Sequence, residues 1–294
     1  MKLFSNAQTR LVPPHAVPRS ELDRLLGQDP ISSVFVAEHV AQLRDVPSRA
    51  TQPVVGLARG HRPRPGAAGR SLELSGACWV GSNVVPVHLG EGGAEAVGAH
   101  LVGARQARAS FFGPRDDVLA LWAAVQRRWR EPFAIRQCQP LLSIDQAPAI
   151  EGHPEVRLGR PGEIEAVLPA SAAMFEEEVG FSPYVEGRES YVRRVQQLLA
   201  RQRTFVLMRD GRVDFKADLG AAAGDVCQIQ GVWVRPELRG RGLAAPCMAA
   251  VVELARRHVA PVVSLYVNEH NVAARRVYER VGFRRTATFT TIMF

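Results

Sequence analysis

A glycine-rich stretch in the second half of the 294-residue chain has the composition of a phosphate-binding turn. Its residues are Arg239, Gly240, Arg241, Gly242, Leu243 and Ala244. The two glycines allow a tight turn and leave main-chain amides uncovered by side chains. Apolar residues recur at helical spacing from Leu243 onward, so the turn leads into a helix whose N-terminus carries about half a positive charge. The stretch therefore predicts an anion-binding site.

Later in the sequence, a second predicted helix carries three polar or small residues on one face. Asn271, Ala274 and Tyr278 are spaced three and four residues apart, and Gly282 is a typical helix C-terminal stop. A tyrosine hydroxyl has a pKa of about 10, so a positioned tyrosine on this face could donate a proton. The alternative is a tyrosine that packs on a core-facing stripe.

Together, in this order and spacing, the two motifs resemble those of the GCN5-related N-acetyltransferases (GNAT), whose pyrophosphate loop is Gln/Arg-x-x-Gly-x-Gly/Ala. The resemblance covers residues 156–294, where the predicted order of helices and strands is that of the acetyltransferase fold. It implies that residues 239–244 bind the pyrophosphate of coenzyme A. It also implies that Asn271 hydrogen-bonds the pantetheine arm and that Tyr278 protonates the leaving thiolate. Acetyl-CoA is accordingly the expected cofactor.

The strand that enters the predicted phosphate loop ends in Val232, Trp233 and Val234. In this family the central strands part near the site, and the pantetheine arm pairs with that strand as an added strand would. The resemblance implies that Val232 and Val234 make this pairing. Main-chain amides near Trp233 and Val234 would stabilise the oxyanion, an effect of about 3 to 4 kcal/mol for one good donor. An amine would attack the thioester directly, and coenzyme A would leave as a thiol.

The same strand lacks the glutamate that many relatives place there as a base. This chain has Gln228 and Gln230 instead, which cannot accept the proton of an ammonium group. Because alternate residues of a strand share a face, we expect both glutamines to point the same way as Val232, with Gln230 toward the substrate.

Acidic residues elsewhere are the candidate bases. Glu177 and Glu178 stand near the end of the first predicted helix of this half. We expect Glu178 to act as catalytic base and Glu177 to contact the substrate. There are three alternatives: the glutamates form a solvated acidic patch, Asp218 near Lys216 is the base, or a base acts through water.

These residues support more than one function. The first hypothesis is transfer of an acetyl group from acetyl-CoA to an amine of a small molecule or a protein. The second is a coenzyme-A-binding sensor or interaction module without transferase activity. The third is transfer of a bulkier acyl or aminoacyl group.

Composition and charge limit the other function classes. The formal net charge is +8, and all but two of the 37 basic residues, Lys2 and Lys216, are arginines. Basic and aromatic residues do not cluster as in nucleic-acid-binding modules, and no apolar run is long enough to cross a membrane. The four cysteines and eight histidines lack metal-ligand spacing. We therefore expect a cytoplasmic enzyme without a metal, nucleic-acid or membrane partner.

The length predicts two domains. We expect an amino-terminal domain over residues 1–145, an aperiodic linker over 146–155 and the acetyltransferase domain over 156–294. A turn-rich stretch, Arg59 to Gly69, should form a mobile loop within the first domain. The predicted fold class is α/β (α+β), with two tandem GNAT-like domains, each a mixed central sheet flanked by helices.

The first half looks like an amino-terminal domain of undefined function found in tandem acetyltransferase-like proteins of actinobacteria. The residues that carry this resemblance are 81–87, 112–114 and 139–142. Its nearest counterpart to a phosphate loop, residues 89–94, contains Glu91, which would oppose a pyrophosphate. We expect this domain to be degenerate and not to bind coenzyme A. A structural, a substrate-shaping and a dimerising role all remain open, the last of which would make the protein a homodimer.

Overall fold

The computed structural model describes residues 9–43, 53–59, 72–185 and 187–294. Most of the predicted mobile loop, residues 60–69, lies outside these ranges. By its internal contacts the chain divides into two compact units. The first comprises residues 1–140 together with 287–294, and the second comprises residues 141–286.

The described residues form the following helices and strands. The helices are α1 (Arg19–Leu26), α2 (Pro30–Gln42), α3 (Gly93–Ala104), α4 (Arg115–Val125), α5 (Ile164–Val179), α6 (Arg188–Ala200), α7 (Ala244–His258) and α8 (Val272–Val281). The strands are β1 (Thr9–Val12), β2 (Val54–Arg59), β3 (Gly76–Val80), β4 (Asn83–Val87), β5 (Ser110–Pro114), β6 (Ala134–Ile144), β7 (Arg157–Leu158), β8 (Thr204–Arg209), β9 (Arg212–Ala223), β10 (Val226–Val234), β11 (Val262–Tyr266) and β12 (Arg284–Met293).

The sheet of the first unit has the strand order β1-β2-β3-β4-β5-β12. Its pairs are antiparallel except for β4 and β5, which are parallel and joined through α3. Because side chains alternate along a strand, neighbouring residues enter different cores. Val54 packs in the cluster that holds Leu25 of α1, and Val55 packs in the cluster that holds Val97 of α3. Helices therefore cover both faces of this sheet.

The sheet of the second unit has the order β6-β11-β10-β9-β8-β7. Strands β10 and β11 are parallel and joined through α7, and the other pairs described are antiparallel. Phe205 packs with Met248 of α7, whereas Val206 packs with Val167 of α5. Both units are thus mixed sheets flanked by helices, which confirms the predicted fold class.

Strands β6 and β12 each contribute residues to both units. The end of β6, Leu141–Ile144, pairs with β11 in the second unit. The end of β12, Phe289–Met293, pairs with β5 in the first unit. The predicted linker, which follows β6, is hydrogen-bonded to the rest of the second unit. The main-chain N–H of Ala149 donates to the carbonyl of Val281 (2.8 Å), and that of His153 donates to the carbonyl of Pro246 (2.9 Å). The domain limits at residues 145 and 156 stay predictions.

Candidate active site

The turn between β10 and α7 is open on its outer side. Gly240 (φ 73°) and Gly242 (φ 79°) adopt left-handed conformations, which favour glycine. A Cβ atom added to either residue would meet no atom of the described residues within 4 Å. The turn therefore leaves room for a ligand against its backbone.

The amides of this turn are also free to donate. Within the described ranges, the main-chain N–H groups of Gly240, Arg241, Gly242 and Leu243 donate no hydrogen bond. Helix α7 begins at Ala244 with no side-chain cap and no acidic residue in its first turn. Because the positive end of the helix dipole is not compensated locally, the turn has the donors and the electrostatic sign of an anion site.

Strands β10 and β11 part next to this turn. They pair only from Val226 to Gln228, although β10 continues to Val234 and β11 to Tyr266. On its other edge, β10 stays paired with β9 as far as Val234. Among the strands that the structure describes, none pairs with this edge of β10 beyond Gln228, as the resemblance implied. An extended ligand with amide groups could pair there.

A β-bulge interrupts β10 where the strands part. Gly231 and Val232 together lie opposite the single residue Ala217 of β9. Gly231 has a φ of 59°, and a Cβ atom there would lie 3.0 Å from a carboxylate oxygen of Asp218 and 3.1 Å from the terminal methyl of Met174. The bulge therefore depends on glycine both for its conformation and for its close contacts.

The bulge reverses the predicted facing of the two glutamines. Val232 packs in the same cluster as Ile229, on the α7 side of the sheet. Gln228 and Gln230 alternate with Ile229, so they face the opposite side, toward which Trp233 packs. Our prediction that they point the same way as Val232 was wrong, because the inserted residue shifts the alternation. Gln228 is buried and Gln230 is exposed.

Tyr278 lies on α8 with its ring buried, at 6% exposure. The ring makes an edge contact with Phe283 at 5.9 Å between centroids. No hydrogen bond to its hydroxyl occurs in the described part of the chain, and this oxygen is not among the fully buried polar atoms that lack a partner. Burial raises the pKa of Tyr278, and the negative charge of Glu178 raises it further. The phenol therefore holds its proton at neutral pH.

Asn271 caps the helix that carries Tyr278. Its Oδ1 atom accepts a hydrogen bond from the main-chain N–H of Ala274 at 3.1 Å. This is the N-cap arrangement that favours asparagine at a helix start. The side-chain oxygen is thus engaged, and the implied contact with pantetheine would use the amide N–H groups.

Two predicted site residues from distant parts of the sequence contact each other. Nη2 of Arg239 donates to both carboxylate oxygens of Glu177 at 2.8 Å, and Nε donates to the carbonyl of Val234 at 2.9 Å. The indole N–H of Trp233 donates to the same carboxylate at 3.2 Å. Glu177 is therefore linked to the phosphate loop, while Glu178 beside it is exposed and lies within electrostatic range of Tyr278.

A buried ionic group lies beneath the bulge, and it includes Asp218, which the sequence offered as an alternative base near Lys216. Lys216 has no exposed surface, and its Nζ donates to Asp218 Oδ2 at 2.6 Å and to the carbonyl of Gly231 at 3.2 Å. The other oxygen of Asp218 accepts from the Thr204 hydroxyl at 2.9 Å. A glycine inside a strand pattern is a known signal for a bulge, and it could have located this feature.

Two cysteines of the second unit, Cys227 and Cys247, are buried. The cysteines are free, and burial raises the pKa of Cys227 and of Cys247 to about 12, which makes both thiols unreactive. Among the described residues, no group of histidine, cysteine and acidic side chains could hold a metal ion.

Within the ranges described, the helices include none with the length and apolar character needed to span a membrane.

Comparison with known families identifies the class of enzyme. Residues 171–283 match the acetyltransferase (GNAT) family, and residues 66–167 match a domain of unknown function, DUF4081. The protein is therefore an acyltransferase. Its GNAT acetyltransferase domain follows an amino-terminal DUF4081 domain in the sequence, which confirms the family predicted for each half. No curated protein matches the sequence.

Solved structures show the same fold over nearly the whole chain. A GNAT-family acetyltransferase from Colwellia psychrerythraea is 12% identical with a TM-score of 0.55, over 98% of this chain and 99% of that one. A GCN5-related N-acetyltransferase from Sphaerobacter thermophilus is 19% identical with a TM-score of 0.55, over 97% and 94%. A tandem GNAT protein from the clavulanic acid biosynthesis pathway is 16% identical with a TM-score of 0.50, over 97% and 98%. This last likeness agrees with the predicted tandem arrangement.

Proposed function

We propose that the protein transfers an acetyl group from acetyl-CoA to an amine of a small molecule or a protein. The observation that carries this proposal is the parting of β10 from β11 directly before the open glycine turn. The family in general uses acetyl-CoA. The free amides of residues 240–243 would hold the pyrophosphate, and the unpaired edge of β10 at Val232 and Val234 would hold the pantetheine arm.

The residues around this site divide the proton transfers between them. When bound, acetyl-CoA supplies an activated acyl group as a thioester. The Tyr278 hydroxyl would give its proton to the sulfur as the carbon–sulfur bond breaks. Its raised pKa means that a thiolate with a conjugate acid near 8.5 is a weaker base than the phenolate. Transfer therefore depends on the position of the hydroxyl and on its hydrogen bond to the developing negative charge.

Glu178 is the base that we propose for the incoming ammonium. Glu178 is exposed and lies within electrostatic range of Tyr278, whereas the carboxylate of Glu177 is held at the phosphate loop by Arg239 and Trp233. We assign Glu177 to the acceptor side of the site as a positioning residue, together with the exposed Gln230. The ammonium group would lose one proton to Glu178, and the resulting amine would form the bond to the carbonyl carbon while main-chain amides near Trp233 and Val234 receive the oxyanion. The nitrogen would then lose its second proton to the Tyr278 phenolate, which restores the phenol after it has protonated the sulfur.

Titration calorimetry with acetyl-CoA tests the cofactor. We expect wild-type protein to bind and Gly242→Glu to lose at least a hundredfold in affinity, since a carboxylate would enter the anion site. The matched control is Gly211→Glu. Gly211 lies in the β8–β9 turn with a similar positive φ of 71° and equally open surroundings. Wild-type protein that fails to bind acetyl-CoA, or Gly242→Glu protein that binds like the control, would refute the cofactor site.

The alternative is a sensor that binds coenzyme A without transferring an acyl group. The absence of a carboxylate from β10 favours it, since that strand carries Gln228 and Gln230 instead. Release of free thiol from acetyl-CoA across a panel of primary amines separates the two functions. Acetyl-CoA binding without amine-dependent thiol release would favour the sensor, and saturable release would favour the transferase.

A further inference from the structure

Three buried side chains form a chain of contacts that ends on the bulge of β10. The Thr204 hydroxyl donates to Asp218, whose other oxygen accepts from Lys216. Lys216 also donates to the main-chain carbonyl of Gly231 at 3.2 Å. Thr204 and Lys216 have no exposed surface, and Asp218 is 4% exposed. A pair of opposite charges is therefore enclosed between β9 and the bulge.

Stability alone does not account for this pair. Removing two charges from water costs several kcal/mol per ion, and replacing a buried pair by apolar residues of similar volume often leaves a protein equally stable or more so. Lysine is also unusual in this sequence, where arginine supplies nearly all basic residues. Arginine is the more common residue in buried ion pairs, whereas lysine offers a compact charge that can donate to a carboxylate and a carbonyl together.

The carbonyl that Lys216 holds belongs to the peptide group shared by Gly231 and Val232. Because this group is planar and trans, its N–H points opposite to its C=O. The lysine therefore fixes the direction of the Val232 N–H, away from itself. A charged donor on the carbonyl also polarises the peptide group and strengthens the N–H as a donor. Val232 lies in the part of β10 that no longer pairs with β11.

We propose that Lys216, supported by Asp218 and Thr204, is a positioning residue for acyl transfer that sets the Val232 N–H for the pantetheine arm. This inference rests on the function proposed above. It makes one specific demand: loss of the lysine should weaken contacts of the pantetheine half of coenzyme A and leave those of the nucleotide half, which meets the glycine turn, unchanged.

The test uses the double variant Lys216→Met/Asp218→Asn. Methionine keeps the length of the lysine stem, and asparagine keeps an acceptor for Thr204, so no unpaired charge is buried. The control is Arg157→Met, which removes the ion pair of Arg157 with Glu163 (2.6 Å) in the same unit. Thermal unfolding verifies that both variants fold. Calorimetry then measures the affinity of each for coenzyme A and for 3′-phospho-ADP, which lacks the pantetheine arm.

We expect the double variant to bind coenzyme A about tenfold more weakly, the equivalent of one hydrogen bond, and to bind 3′-phospho-ADP like wild type. Its turnover should fall by up to about a hundredfold, since small misplacements of a reacting group are that costly. Arg157→Met should match wild type with both probes. Unchanged affinity for coenzyme A, or equal losses for both probes, would overturn the inference. Failure of wild-type protein to bind coenzyme A would instead refute the proposed function.

Discussion

Two turns of this protein connect the same kinds of elements but differ in the side chains that contact them. In the second unit, residues 239–243 follow the parted strand β10 and lead into α7. In the first unit, residues 88–92 follow β4 and lead into α3, and β4 pairs with β5 only at Asn83 and Val84. Both turns thus join a strand that has left its parallel neighbour to the start of a helix.

The first turn is filled by the protein's own side chains. A carboxylate oxygen of Asp117 accepts a hydrogen bond from the main-chain N–H of Leu89 at 3.1 Å. The Thr9 hydroxyl donates to the carbonyl of Glu91 at 2.7 Å. A Cβ atom added to Gly93 would lie 2.7 Å from the side chain of Leu57. The second turn has no such neighbours at Gly240 and Gly242.

The comparison teaches that parted strands and a glycine turn do not by themselves make a cofactor site. What occupies the amides decides whether an external anion can bind. The prediction that the first half does not bind coenzyme A stays a prediction, but Asp117 now gives it a physical reason in addition to Glu91. The next helices along the chain, α8 and α4, differ as well, because the seventh residue of α8 is Tyr278 and that of α4 is the fully buried Leu121.

The largest effect in this comparison should come from the tyrosine that α4 lacks. We expect Tyr278→Phe to lower kcat by about a hundredfold, because a positioned general acid contributes that much or more. Affinity for acetyl-CoA should stay within about twofold of wild type, since the ring remains to fill its buried site. Steady-state assays and calorimetry measure the two quantities.

Tyr191→Phe is the control for that variant. The Tyr191 hydroxyl donates to the carbonyl of Ser171 at 2.7 Å in the core beside α5 and α6. Its loss should lower stability by about 1 kcal/mol and leave kcat unchanged. Full activity in Tyr278→Phe would assign the proton donor elsewhere.

A smaller effect should come from the ion pair beside the second turn. Glu177 holds the Arg239 guanidinium through a contact in which both side chains are nearly half exposed, so a phosphate could displace it. We expect Glu177→Gln to raise the affinity for acetyl-CoA by up to about fivefold, the range of an exposed ion pair. Calorimetry at low ionic strength measures the change.

Glu176→Gln removes the same charge from the neighbouring exposed residue and serves as the control. It should change the affinity less than Glu177→Gln does. An equal rise in both variants would attribute the effect to overall charge and would contradict a specific competition for Arg239.

The smallest effect should come from the carboxylate that fills the first turn. Burial raises the pKa of Asp117 above its ordinary value of 3.8. The raised pKa means that the folded state favours the protonated carboxyl more than the unfolded chain does. The stability that this group contributes at low pH is therefore lost as the pH rises from the ordinary pKa through the raised pKa of the folded state. Asp117→Asn keeps an acceptor for Leu89 and removes the titration.

We expect the fall in Tm between about pH 4 and pH 7 to shrink by about 2 °C in Asp117→Asn. Asp116→Asn, at the exposed neighbouring position, should change the profile much less, because the charge of Asp116 is the smallest of the causes that act on Asp117. Calorimetric scans across this pH range measure both variants. If the Tm of Asp117→Asn varies with pH as that of wild type does, burial does not destabilise the charged carboxylate of Asp117.

Much of the fold could be read from short stretches of sequence. The Asp210–Gly211 turn between β8 and β9 has the two positive φ angles, 49° and 71°, that such a pair favours in a hairpin. Gly282 ends α8 in a left-handed conformation, as predicted. These features depend on the conformational preferences of one or two residues, so the sequence alone was enough to place them.

The sequence by itself determined the glycine turn, the helix that follows it and the helix that carries Tyr278, because turn and helix-end signals act within a few residues. The tertiary structure alone decided which way Gln230 faces, that Arg239 meets Glu177, that Lys216 reaches the bulge at Gly231, and that β12 ends in the first unit. Each of these depends on strand register or on contacts between residues far apart in the sequence. A single inserted residue in a strand reverses the facing of its neighbours, and no local preference specifies which distant side chain will lie opposite.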